Sequence, residues 1–115
     1  MPLHNWDQIP QEQMNAHLAR KVIHSANMTI ARLEMKKDAA VPEHSHENEQ
    51  VTMVEKGALK FLLDGKEQIV RAGEVLTIPP HASHGVVVLE DSVVVDVFTP
   101  ARADWIRGDD AYLRK

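Results

Sequence analysis

His44 and His46 stand two residues apart, Gln50 follows at the same even spacing, and His84 comes after a Pro79-Pro80 step. Alternate side chains of an extended chain share a face, so His44, His46 and Gln50 are expected to point the same way. His84 opens a further apolar segment, and a closed barrel brings it beside the first group, so that four donors from two strands line one cavity. Imidazole nitrogens and an amide oxygen suit one divalent metal ion. The chain has no cysteine, so its donors are nitrogen and oxygen only, which fits Ni, Zn, Mn, Fe or Co without choosing among them. Glu47 and Glu49 have the opposite parity and are expected in solvent, with Glu49 as reserve ligand if the loop bulges. His4, His17, His24 and His81 are read as ordinary histidines.

A second chemical stretch is Val93-Val-Val-Asp96-Val-Phe98-Thr-Pro-Ala-Arg102. A carboxylate inside an apolar strand costs several kcal/mol if buried unpaired, so Asp96 needs a reason. It either pairs with Arg102 or faces water at an edge, or burial raises its pKa toward neutrality and makes it a usable general acid or base. Arg32, on a central strand, is a lesser candidate for the cavity wall.

These side chains need a β framework to bring them together. Segments 18–23, 28–35, 51–54, 59–63, 67–70, 75–78, 86–89 and 93–98 are short, mostly aliphatic or β-branched, and separated by glycine, proline and polar residues, which predicts an all-β barrel or sandwich. Asp64-Gly65 between 60–63 and 66–70 predicts a type I′ hairpin. Pro79-Pro80 ends the strand before it and carries His81 and His84 on a rigid loop. Residues 11–21 have some helical propensity, but 18–23 suits a strand better, and no helix longer than two turns is expected.

With 115 residues, 43% apolar and 26% charged, the chain is expected to form one domain, 1–115, with a metal-binding core at about 40–100 and a tail at 101–115. Its net charge of −4 and scattered basic residues give no cationic face for nucleic acid. No apolar run is long enough to span a membrane, and the first twenty residues lack the pattern of a secretory signal, so a cytoplasmic location is expected.

His44-Ser-His46-Glu-Asn-Glu-Gln50, followed after six residues by Gly57, resembles the first cupin motif, HxH(x)3,4E(x)6G. Gly73, Pro79 and His84 are spaced as in the second. The resemblance implies a cupin double-stranded β-helix, a jelly-roll barrel, with His44, His46, Gln50 and His84 as metal ligands. The plain alternative, histidines with no metal, is weakened by three of them at motif spacing with glycine and proline in register. This sequence departs from the motifs at Gln50, which replaces glutamate, at His81, which replaces glycine, and at Val88, which replaces asparagine. Neutral Gln50 leaves the charge of the ion uncompensated by its ligands, so the site is expected to act as a Lewis acid toward anionic oxygens.

Asp96-x-Phe98-x-Pro-x-Arg102, with Gln50 and the tail Asp104-Trp105…Tyr112, resembles the small cupins grouped with the pectin-degradation protein KdgF. That resemblance implies metal-dependent linearisation of 4,5-unsaturated uronates from pectin or alginate to 5-keto-4-deoxyuronate. Asp96 and Arg102 would then be catalytic, Arg102 pairing the substrate carboxylate in bidentate fashion and Phe98 forming an apolar wall. Two other readings compete: a cupin dioxygenase with a redox metal on three histidines, and a non-catalytic module that binds a small acid. A homodimer is expected because strand 93–98 is apolar on both faces. Trp105 and Tyr112 are read as packing or dimer contacts.

Overall fold

A computed structural model describes residues 1–115. Eight strands, β1 Glu12–Asn15, β2 Leu18–His24, β3 Thr29–Met35, β4 Ala40–His44, β5 Glu49–Leu63, β6 Lys66–Arg71, β7 Val75–Ile78 and β8 His84–Thr99, form one antiparallel sheet. Its order is β1-β2-β3-β8-β5-β6, with β4 added to β8 and β7 to β5. The long strands β5 and β8 pair along their whole length and act as the spine. The jelly-roll expectation holds.

β8 keeps one parity throughout. His84, Val88, Ser92, Val94 and Phe98 are buried, while Val87 and Leu89 face out. β5 changes parity midway, with Gln50, Thr52 and Val54 buried before Gly57 and Leu59 and Phe61 after it. The switch coincides with register shifts between Val54 and Leu59 and with Gly57 at φ +90°. A Cβ there would meet Ser92 Oγ and the Asp91 carbonyl at 2.1 and 2.6 Å, so only glycine fits.

This irregularity explains why the sequence pattern predicts 51–54 and 59–63 as two strands where the molecule has one. Segments 86–89 and 93–98 merge likewise. Two strands were not anticipated: polar β1, and β4, which contains Pro42 and lies at a sheet edge where proline is tolerated. The hairpin prediction holds, with Asp64 at φ 47° and Gly65 at φ 83° joining β5 to β6.

The only α-helix, α1, spans Ala103–Ile106, and no helix is long and apolar enough to cross a membrane. The tail folds back on its own barrel, where Trp105 and Leu113 join the interior core. Asn15 Nδ2 donates to the carbonyls of Leu113 and Lys115 at 3.2 and 3.1 Å. The outward row Val93, Val95 and Val97 is half-buried. Arg32 does not reach the cavity: its parity points it outward, toward Glu34 and Glu55.

Candidate metal centre and adjoining pocket

His44 ends β4 directly opposite His84, the first residue of β8, and their ring centroids are 4.3 Å apart. His46 lies in the loop before β5, 4.9 Å from the His84 ring and 5.6 Å from that of His44. One ring nitrogen from each lies within 4.8 Å of the others. Gln50, at the start of β5, completes the group. The donors therefore come from three strands and a loop rather than two strands, because the chain leaves β4 right after His44.

Each imidazole is held the same way. Nδ1 of His44, His46 and His84 faces the carbonyl of Pro42, Asn48 and Ala82 at 2.8, 3.0 and 2.9 Å. A neutral ring that donates from Nδ1 leaves the Nε2 lone pair free for a metal. Nε2 of His84 is buried and has no protein partner. Nε2 of His46 lies 3.1 Å from Gln50 Oε1. Both nitrogens of His46 thus face acceptor oxygens, and a neutral imidazole carries one proton, so one contact is unsatisfied in either tautomer.

Burial, then the Arg102 and His84 charges, push the His46 pKa down to about 4, so a second ring proton does not resolve this near neutral pH. Burial likewise lowers His44 and His84. Unprotonated nitrogens converging on one point, one orphaned and one facing an oxygen, are compatible with a divalent ion.

The Gln50 amide is oriented by a relay. Its Nε2 donates to Thr52 Oγ1 at 2.9 Å, and Thr52 donates to Asp96 Oδ1 at 2.7 Å. Cross-strand register makes this possible, since Gln50 pairs with Phe98 and Thr52 with Asp96. Asp96 lines the pocket. Burial raises its pKa to about 6, against the opposing effects of the Thr52 hydrogen bond and the Arg102 charge. Asp96 makes no ion pair with Arg102 and instead accepts from the Thr52 hydroxyl.

His44, Gln50, His84, Asp96, Phe98, Arg102 and Tyr112 line one narrow pocket that is partly open to solvent. His46 borders it through His84 and Gln50, and its outer side lines a separate hollow with Asp104 and Arg107.

Arg102 differs from the sequence expectation. It is buried, and its Nε and Nη2 fork onto Asp104 at 2.9 and 2.7 Å, while Nη2 also donates to Tyr112 Oη at 2.7 Å. Its bidentate face is therefore taken by the protein, leaving Nη1 as its unpaired edge. The guanidinium also lies over Phe98 and Trp105, 4.7 and 4.3 Å from the ring centroids.

Trp105 and Tyr112 both pack against the core, as expected, and both also line the pocket, the Tyr112 ring 4.8 Å from that of His44. Glu47, Glu49 and His81 are exposed. His81 has φ 66°, the left-handed conformation that glycine adopts freely and that the second motif's glycine would supply. His24 bonds Thr29 away from the site.

Sequence reasoning missed Thr52, Asn48 and Asp104. Thr52 shares the parity of Gln50, which was the available signal. Buried Asn48 donates to the Pro100 and Ala101 carbonyls and so ties the His46 loop to the tail.

A jelly-roll barrel with three convergent histidines at this end defines a cupin, and the chain belongs to that family: the model described as Cupin domain matches residues 31–98. It is 30% identical over 103 residues to the pectin degradation protein KdgF of Dickeya dadantii (strain 3937), which covers 87% of this chain and 94% of that protein. Among solved structures it is similar to KdgF from Halomonas sp., with a TM-score of 0.80 and 28% identity over 86% of this chain and 93% of the other. An RmlC-like cupin from Shewanella frigidimarina NCIMB 400 superposes with a TM-score of 0.83 and 27% identity, covering 89% and 93%.

Proposed function

We propose that this cupin is a metal-dependent enzyme that linearises 4,5-unsaturated uronates, the sugar acids released by pectin and alginate lyases. The observation that carries the reading is the relay Gln50–Thr52–Asp96, which sets a carboxyl group with pKa about 6 beside the histidine cluster. The likeness to KdgF, a pectin degradation protein, supplies the substrate class.

His44, His46, Gln50 and His84 would hold the ion. Bound there, it supplies Lewis acidity toward the oxygens of an anionic sugar. Ring opening removes the proton of the anomeric hydroxyl, breaks the bond between C1 and the ring oxygen to leave an aldehyde, and frees an enol at C5. A proton then reaches C4, giving the 5-keto-4-deoxy acid with no net gain or loss of protons. Asp96 carries that proton: a carboxyl group with pKa about 6 populates both forms near neutral pH. Thr52 fixes its orientation. Arg102 meets the substrate through Nη1, and Phe98 forms part of the wall.

Metal-loaded protein supplied with a pectate or alginate lyase product should speed the loss of the conjugated double-bond absorbance over the spontaneous rate. No acceleration with the site filled rejects the reading. Asp96→Asn is expected to lower the rate by about 10²–10⁴-fold while metal content stays unchanged.

A further inference from the structure

Tyr112 has a hydrogen-bonding pattern that leaves one group unspent. Its oxygen accepts from Arg102 Nη2 at 2.7 Å and from Trp105 Nε1 at 3.3 Å. Both partners can only donate. The phenolic proton therefore needs an acceptor elsewhere, and no protein atom provides one, although the residue lines the pocket against His44. Its placement is fixed on both sides: Asp110 is held by Arg20 and Arg114, and Leu113 is buried in the core.

Arg102 has the complementary shortage. Asp104 and Tyr112 occupy Nε and Nη2, and Nη1 has no protein partner, on a residue that lines the cavity. Two donors without a protein acceptor thus belong to hydrogen-bonded side chains that line one pocket, one of them cationic. A carboxylate presents two oxygens at a similar separation and accepts charge-assisted bonds from such a pair.

We propose that Tyr112 is a substrate-binding residue whose O–H, with Arg102 Nη1, clamps the carboxylate of the sugar acid. This rests on the uronate reading of the pocket and refines it. The two-point recognition that arginine usually provides alone is divided here between two side chains, because Asp104 has taken the arginine fork. Such a contact is made equally before and during ring opening, so it sets affinity more than turnover.

The test uses metal-loaded full-length protein, its Tyr112→Phe variant, and two substrates: unsaturated galacturonate and its methyl ester. With the free acid, Tyr112→Phe should raise KM by about 10- to 100-fold with a much smaller change in kcat, the worth of one hydrogen bond to a charged group. With the methyl ester the two proteins should have similar KM, since the ester carries no negative charge. An equal penalty on both substrates, or none on either, overturns the proposal; the first would mark Tyr112 as a support for the shape of the pocket, with no part in recognising the carboxylate.

Calorimetric binding of galacturonate separates the two levels of argument. Binding by the wild type that weakens in Tyr112→Phe, without any turnover of the unsaturated sugar, would reject the reaction and keep the clamp. No binding of the uronate by the wild type rejects the clamp.

Discussion

The pocket has two halves that are built differently. In the barrel half, each histidine is fixed by a carbonyl two residues away in its own segment: Pro42 for His44, Asn48 for His46 and Ala82 for His84. In the tail half, Arg102 and Tyr112 are held by each other and by the side chains of Asp104 and Trp105, and the tail that carries them is held by partners far along the chain. Asp110 bonds Arg20, 90 residues away, and Asn15 holds the Leu113 carbonyl across 98. The barrel half is a product of local backbone geometry. The tail half exists only once the whole chain has folded, and its charged network is mutually dependent in a way the imidazoles are not.

Separate disruption of the two halves checks this contrast, and the largest effect belongs to the barrel. Nε2 of His84 is buried without a partner, so in metal-free protein its loss relieves an unsatisfied group as it opens a small cavity. His84→Ala should therefore change metal-free stability little but abolish stabilisation by added metal. For the wild type that stabilisation is about 4 kcal/mol when free metal exceeds Kd a thousandfold. Thermal melts with and without nickel or zinc measure the difference. A metal-induced shift that survives in His84→Ala would remove His84 from the ligand set.

Asp110→Ala is the matching cut in the tail. Arg20 and Asp110 are both buried, and Arg20 lies over Trp105 at 4.6 Å with Nε and Nη1 unpaired. Removing the carboxylate leaves a buried guanidinium with only the exposed Glu12 carboxylate, 3.4 Å away, as counter-charge, at a cost of up to about 3–5 kcal/mol. Urea unfolding should show that loss while metal affinity stays close to wild type. Metal affinity that falls together with stability would mean that the two halves are one cooperative unit.

The same contrast explains what could be read from the sequence. The histidines are recognisable because their geometry follows from spacing along strands, and Asp96 because a carboxylate inside Val93-Val-Val-Asp96-Val is conspicuous. Arg102 was recognised as part of the site but its fork was assigned to substrate. The partner that takes it, Asp104, lies two residues on, where no period marks it. Nothing in the sequence marks Arg20 as buried, because its burial goes with Asp110 arriving from the other end of the chain. The strand pattern gave the sheet but split β5, since the parity change at Gly57 breaks the alternation on which strand reading relies. Tyr112 was read as packing because an aromatic near a chain end usually is; only its saturated oxygen reveals the free proton.

The smallest effect, pH dependence in protein freed of metal by a chelator, sharpens the comparison because the two halves titrate in different windows. Burial first, and neighbouring charge after it, holds His44, His46 and His84 below their ordinary value of 6.5, with His46 at about 4. Between about pH 6.5 and 4 the unfolded chain therefore binds more protons than the folded one. Stability due to the barrel half is present above pH 6.5 and is lost as pH falls through this window. Asp96 opposes this, because its folded pKa of about 6 lies above its ordinary 3.8, so its contribution is greatest below 3.8 and is lost as pH rises toward 6. In the tail, the Arg114 bond, with help from Arg20, depresses Asp110, and the Arg102 fork depresses Asp104 against the effect of burial. Their contribution is present above 3.8 and is lost only as pH falls below it. The urea midpoint should thus decline in two stages on acidification, one between pH 6.5 and about 4 and another below 3.8. Asp96→Asn removes the opposing group and should steepen the first stage alone, while Asp110→Ala should flatten the second; a midpoint that stays constant from pH 7 to 5 in the metal-free wild type would contradict the neutral, buried state assigned to the three imidazoles.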